Sequence, residues 1–137
     1  MKKKAIITVV SKQAGTDDSA IEVVTPGEYY REENCYFAVY DETKLSGMEG
    51  TKTTLKISPN DFLLTRVGTT NAEMKFRKNS NEISMYDTPY GMLELKLETK
   101  DLKVDLDDDG GEVEIKYNLA ISGQEPQNTV LKVNIKA

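Results

Sequence analysis

The side chains that most often carry catalytic chemistry are scarce in this sequence. It contains no histidine and one cysteine, Cys35. The lack of histidine removes the commonest general base, the Ser-His and Cys-His nucleophile pairs and most transition-metal sites. One cysteine permits neither an intramolecular disulfide nor a thiolate-rich zinc site, and its apolar surroundings predict a small buried hydrophobe. We therefore expect no catalytic residues, no metal and no cofactor, with an enzyme that uses carboxylates alone as the remaining catalytic alternative.

An acidic run near the C-terminus resembles the first half of a calcium-binding loop. Asp105, Asp107, Asp109 and Gly110 have the required spacing, but Lys116 stands where a bidentate glutamate should complete the coordination sphere. The neighbouring glycines supply the positive φ angles of a tight turn. The run therefore predicts an acidic hairpin turn.

Arg66 lies within residues 62–67, a stretch that is apolar on both faces, so the pattern leaves its direction open. If Arg66 shares the face of Phe62 and Leu64, its guanidinium points into the protein interior, where a charge needs a partner. Glu49 or the carboxylate of a bound ligand would supply that partner. The alternative is a rim position with a solvated head group.

A tyrosine and two threonines predict a polar patch in an otherwise apolar interior. Tyr117 lies in a run of alternating apolar residues, so it points inward, where its hydroxyl needs a partner. Thr51 and Thr53 share a strand face with Leu55 and Ile57, and they are candidates for that partner. The patch is consistent with one wall of a ligand pocket and equally with an ordinary core that holds one satisfied tyrosine. The candidate ligand-binding residues are Glu49, Thr51, Thr53, Arg66, Tyr90 and Tyr117.

The elements that position these residues are strands and turns. Apolar and polar residues alternate with a period of two, turn signals recur, and no segment has helical periodicity. The length of 137 residues predicts a single domain over residues 1–137. Long strands in meander order favour a barrel over a sandwich, because a barrel leaves no exposed edge. We predict an all-β, antiparallel up-and-down barrel of about eight to ten strands, counted from these turn signals.

One position breaks the alternation. Leu95 and Leu97 occupy odd positions, whereas Leu102 and Val104 occupy even ones. A slip of one residue turns every following side chain to the other face of a sheet. A bulge or bend near Lys100 would keep both halves facing the core, and we predict one there.

The net charge and the lengths of the apolar runs limit the kinds of partner that we expect. Eighteen basic and 23 acidic residues give a net charge of −5, which disfavours binding to nucleic acid. No apolar run approaches the ~20 residues of a membrane span. The basic start is followed by an apolar stretch shorter than the ~7–15 residues of a signal peptide. We expect a cytosolic protein that contacts neither nucleic acid nor membrane.

Five segments of the chain together resemble a known family: Thr25–Tyr30, Gly47–Leu55, Thr65–Gly68, Thr88–Gly91 and Gly110–Glu112. The chain is similar to the YwiB-like proteins, small bacterial proteins of unknown function found mostly in Gram-positive species. The resemblance implies a calycin-like β-barrel, the class that includes lipocalins and fatty-acid-binding proteins, and it supplies no catalytic residues.

Two functions follow as hypotheses. The first is a non-catalytic barrel that binds a small amphipathic or apolar ligand in its interior, with Leu55, Leu95 and Ile115 against the apolar part. The second is a barrel with a filled core that acts through protein contacts, as a homodimer or docked on a larger assembly. The inward leucine, isoleucine and valine residues are numerous enough to fill an eight-stranded interior, which supports the second.

Overall fold

The computed structural model describes residues 2–13, 21–42, 49–89, 91–121 and 125–137. Every regular element in these ranges is a β-strand, and none of them contains a helix long and apolar enough to cross a bilayer. Ten antiparallel strands pair in chain order and β1 pairs with β10, so the sheet closes into a barrel, which confirms the predicted architecture. The strands are β1 (Lys3–Gln13), β2 (Ile21–Glu32), β3 (Cys35–Asp41), β4 (Lys52–Ile57), β5 (Asp61–Val67), β6 (Asn71–Arg77), β7 (Ser80–Thr88), β8 (Gly91–Asp107), β9 (Gly110–Ile121) and β10 (Gln127–Lys136).

The barrel has two ends, and the core fills the lower one. We call the end where β8 turns into β9 the lower end, and the end where β3 and β5 finish the upper end. Phe62 and Phe76 are fully buried and pack edge to face, with ring centroids 6.0 Å apart. The buried Tyr29 closes the lower end by donating a hydrogen bond of 2.7 Å to the carbonyl of Asp107. This pairing satisfies a hydroxyl that would otherwise be buried without a partner.

Strand β4 has the inward face that its alternation predicts. Thr53, Leu55 and Ile57 are buried, whereas Lys52 and Lys56 are exposed. Because successive side chains of a strand point to opposite faces, Thr53, Leu55 and Ile57 share the inward face. Thr53, at the start of β4, lies toward the upper end of the barrel, and Ile57 lies toward the lower end.

The bulge predicted near Lys100 is confirmed. The register between β8 and β9 shifts between Thr99 and Asp101. As a result, the apolar residues that follow, beginning with Leu102, still pack against the core, although their parity differs from that of Leu97. An extra residue in one strand thus compensates for the change of parity in the sequence.

The ladder between β6 and β7 is short. It contains two residue pairs, Asn71 with Asp87 and Ala72 with Tyr86, whereas the ladder between β7 and β8 extends along all of β7. The barrel therefore closes less tightly between β6 and β7.

The acidic run forms the predicted hairpin turn. Asp108 and Asp109 make the turn between β8 and β9, and Gly110 and Gly111 follow with φ angles of 114° and 142°. These angles favour glycine because a Cβ would collide with the backbone there. Among the described residues, no group of three or more acidic or cysteine side chains is arranged to hold a metal ion.

Cys35 is half-buried rather than fully buried, so its predicted place inside a core is wrong. It is the first residue of β3 and follows the tight turn at Glu33 and Asn34. A side chain at the end of a strand, next to a turn, meets solvent even where the strand itself borders the core.

Candidate functional site

The upper half of the barrel interior contains a cavity of about 340 Å³. This volume is near the low end of the ~300–1,000 Å³ that is usual for small-molecule pockets. The rings of Phe76 and Tyr117 pack together with centroids 4.9 Å apart, and both line the cavity. The apolar walls include Val9, Leu64, Leu95, Leu119, Ile121 and Leu131.

A buried ion pair lies in the wall of this cavity. Arg66 shares the inward face of β5 with Phe62 and Leu64, and its side chain is 17% exposed. Its Nε lies 3.6 Å from Oε2 of Glu42, whose side chain is 3% exposed. Thr53 donates a hydrogen bond to the same Glu42 oxygen. The carboxylate partner of Arg66 is thus Glu42 and not Glu49, and the guanidinium lies inside the barrel rather than at a solvated rim.

The guanidinium of Arg66 can still donate a hydrogen bond to an acceptor. Nε of Arg66 is buried and has no acceptor at hydrogen-bonding distance among the described residues. Nη1 reaches the hydroxyl of Tyr86 at 3.5 Å, which is at the outer limit of a hydrogen bond. A buried donor of this kind loses its interaction with water on folding and gains from any acceptor that enters the cavity.

Two tyrosines beside the pair stay protonated because they are buried. Burial raises the pKa of Tyr117 to about 12, although the charge of Arg66 opposes that rise. Burial also raises the pKa of Tyr40, with a further increase from the Glu42 carboxylate and opposing effects from Arg66 and Thr53. At neutral pH both hydroxyls are therefore neutral and can donate or accept hydrogen bonds.

Thr51 and Glu49 belong to a neighbouring turn and not to the cavity. The hydroxyl of Thr51 lies 2.9 Å from that of Thr69 and accepts a hydrogen bond of 3.1 Å from the backbone of Thr70. Glu49 has an exposed side chain, and its carbonyl accepts a hydrogen bond of 2.9 Å from Thr69. A Cβ at Gly68 would lie 2.2 Å from the carbonyl oxygen of Gly50, so this turn requires glycine. These contacts hold the turn between β5 and β6 against the start of β4.

Of the predicted ligand-binding residues, Arg66 and Tyr117 line the cavity, and Thr53 supports it through Glu42. Tyr90 lies outside the described residues. The structure adds Tyr40, Tyr86 and Glu42 to the site.

The missed residues carried a weak sequence signal. Ala38 and Tyr40 lie on the inward face of β3, and the same period of two reaches Glu42 just after the strand ends. A glutamate beside Asp41 in a turn region usually indicates a solvated loop. The closure of the barrel over Glu42 is not visible in the local pattern.

The comparisons with known proteins agree with this fold. The model of a domain of unknown function, DUF1934, matches residues 6–133. The chain is 32% identical over 129 residues to the uncharacterized beta-barrel protein YwiB of Bacillus subtilis (strain 168), with 91% of this chain and 89% of that protein covered. The crystal structure of the ywiB protein from Bacillus subtilis has a TM-score of 0.82 at 26% identity, with 99% of this chain and 91% of that chain covered. The chain therefore belongs to the DUF1934 family, which confirms the predicted resemblance to YwiB-like proteins.

Proposed function

We propose that this barrel is a non-catalytic binding protein for a compact amphipathic molecule. The molecule occupies the upper cavity, with its apolar part against the leucine and isoleucine walls and its polar group beside Arg66. The observation that carries this proposal is the combination of a cavity of about 340 Å³ with a buried, acceptor-free Nε of Arg66 in its wall. A cytosolic location and kinship with the calycin class are parts of the same proposal.

The composition of the cavity wall supports binding over catalysis. Apolar side chains dominate the lining, and its polar side chains are Ser11, Glu42, Arg66 and three tyrosines. Ligand pockets have this arrangement because apolar area supplies affinity while a few polar groups fix orientation. Burial raises the pKa of Tyr117 to about 12, so its hydroxyl stays protonated at neutral pH and is available as a hydrogen-bond donor to a ligand.

A second candidate function is self-association through the outer face of β7 and β8. Ile83, Met85 and Met92 lie on these strands with 68%, 53% and 58% of their surfaces exposed. Apolar side chains this exposed on two paired strands are typical of an interaction surface. The sequence also favoured a role in protein contacts because its apolar residues could fill the core. In the structure, this filled core lies in the lower half of the barrel.

Native mass spectrometry of the protein purified from cells tests the first proposal. We expect a mass adduct that is released on denaturation and is identified in the extract as a small amphipathic compound. The same measurement tests the second candidate, because a dimer that Met85→Lys abolishes would support self-association.

Titration with N-phenyl-1-naphthylamine, an uncharged apolar fluorophore, locates the binding site. Leu119→Trp fills the cavity and should abolish the fluorescence increase, since Leu119 is part of the lining. Ile83→Trp is the matched control, because it adds the same ring to an outward position of β7 and should leave the increase intact. Equal uptake by both variants would contradict the proposed location of the ligand.

A further inference from the structure

We propose that Glu42 makes the cavity selective for molecules with an uncharged polar group, such as an amide or a ketone, over carboxylates of the same size. The inference rests on the proposed binding function and names the chemical class of the ligand. It concerns the polar wall formed by Glu42, Arg66 and the nearby tyrosines.

The charges in the wall already balance. Glu42 and Arg66 approach to 3.6 Å with side chains that are 3% and 17% exposed. A ligand carboxylate at Arg66 would place a second negative charge close to Glu42 in a region with little water to screen it. The site would then bury two anions and one cation, which is unfavourable because a buried charge needs its own partner. A neutral carbonyl brings no additional charge.

Glu42 is held in place, so a ligand carboxylate does not readily displace it. Thr53 donates a hydrogen bond to Oε2 of Glu42. The backbone N–H of Glu42 donates a hydrogen bond of 2.8 Å to the carbonyl of Thr51. Thr53 and Thr51 are themselves 0% and 1% exposed. Rotation of the Glu42 carboxylate away from Arg66 would leave it buried and would break the hydrogen bond to Thr53.

The donors of the wall match a neutral acceptor. Nε of Arg66 is buried and lacks an acceptor among the described residues, and the protonated hydroxyl of Tyr117 lies in the same cavity. A carbonyl oxygen accepts two hydrogen bonds. An amide or ketone oxygen can therefore accept from both groups without disturbing the ion pair.

The test compares octanamide with octanoate by isothermal titration calorimetry at pH 7.5. Both probes share the same chain length, so their affinities differ through the head group. We expect wild-type protein to bind octanamide at least about tenfold more tightly than octanoate, a factor that corresponds to roughly 1.4 kcal/mol. In Glu42→Gln the cavity keeps the positive charge of Arg66 alone, and octanoate should gain at least about tenfold relative to octanamide.

Glu73→Gln is the matched control. Glu73 lies on the outward, exposed face of β6, so this change removes one negative charge without altering the cavity. It should leave the ratio of the two affinities unchanged. Thr53→Val removes the hydrogen bond that holds the Glu42 carboxylate in place. It should reduce the preference for octanamide over octanoate, as Glu42→Gln does.

The outcomes separate the two claims. If neither probe binds wild-type protein or Glu42→Gln, the proposed binding function fails, and this inference fails with it. If wild-type protein binds octanoate as tightly as octanamide, or if folded Glu42→Gln keeps the wild-type ratio, the inference fails while the binding function stands. The wild-type ratio decides the question even where a variant does not fold.

Discussion

At the scale of single residues, the feature that sets this barrel apart from a simple apolar cylinder is the ion pair of Glu42 and Arg66. Both side chains have lost most of their contact with water, and a buried pair regains that loss only with good geometry and additional hydrogen bonds. The 3.6 Å separation and the acceptor-free Nε show that the geometry is incomplete. The pair therefore adds little stability compared with well-packed apolar side chains in the same positions.

Removal of one partner alone should be costly. In Arg66→Met, the Glu42 carboxylate remains buried without its counter-charge, and we expect the free energy of unfolding to fall by about 3–5 kcal/mol. In the double variant Arg66→Met with Glu42→Gln, most of that loss should be recovered, because no unpaired charge remains. Urea unfolding at pH 7 measures both. A loss below about 1 kcal/mol in Arg66→Met would be typical of an exposed pair and would contradict the burial of the site.

The buried hydroxyl of Tyr117 should make the protein less stable in alkaline solution. Burial disfavours the phenolate and raises the pKa of Tyr117 in the folded protein to about 12, from about 10 for an exposed tyrosine. The unfolded chain therefore releases this proton at lower pH than the folded protein does. The contribution of Tyr117 to stability is complete below pH 10 and is lost as the pH rises from about 10 to about 12.

The measurement is urea unfolding between pH 9 and pH 11.5, with Tyr117→Phe compared with wild type. The phenylalanine variant should lose less stability over this interval, since one titrating group has been removed. Tyr30→Phe is the control on the barrel surface, where the hydroxyl is half-buried and stands outside the cavity. Identical pH profiles for Tyr117→Phe and wild type would contradict a protonated hydroxyl buried in the cavity wall.

At the scale of the elements, the sequence specifies strand faces well and inter-strand spacing poorly. The change of parity around Lys100 predicts a bulge because both halves of β8 must face the core, and the register shift lies there. The short ladder between β6 and β7 has no such signal. Both strands alternate regularly in sequence, and their partial separation depends on how ten strands close around the core.

Deletion of Lys100 should remove the bulge. Shortening the strand by this one residue gives Leu102, Val104 and Leu106 the same parity as Leu95 and Leu97, so in a regular strand they still face the core that they now contact. Because no apolar side chain leaves the core, we expect the unfolding free energy to change by less than about 1 kcal/mol, whereas turning these three side chains outward would cost at least about 3 kcal/mol.

Lys100→Ala is the control for that deletion, because it keeps the chain length and changes an exposed side chain. It should alter stability by less than about 0.5 kcal/mol. Thermal and urea unfolding of the two variants give the comparison. A deletion variant less stable than Lys100→Ala by about 3 kcal/mol or more would contradict the conclusion that the bulge only compensates for the change of parity.

At the scale of the whole molecule, the barrel could be predicted from the sequence, while the contents of its interior could not. Period-two alternation places Thr53, Leu55 and Tyr117 inward wherever the sheet lies, because side-chain direction is a local property of a strand. The pairing of Arg66 with Glu42 and the position of the cavity depend on how the sheet curves into a barrel, which lets side chains from the ends of β3 and β5 meet across β4. Contacts of that kind leave no trace in local spacing.

The division of the interior into a filled lower half and a hollow upper half is the central claim, and a titration followed by methyl NMR tests it most directly. Octanamide is added to protein labelled at its isoleucine and leucine methyl groups. We predict saturable shifts for Leu64, Leu95 and Ile121, which line the cavity, and unchanged signals for Ile57 and Ile135 in the lower core. Shifts confined to the outward methyl groups of Ile83, or no saturable shift at all, would contradict the account.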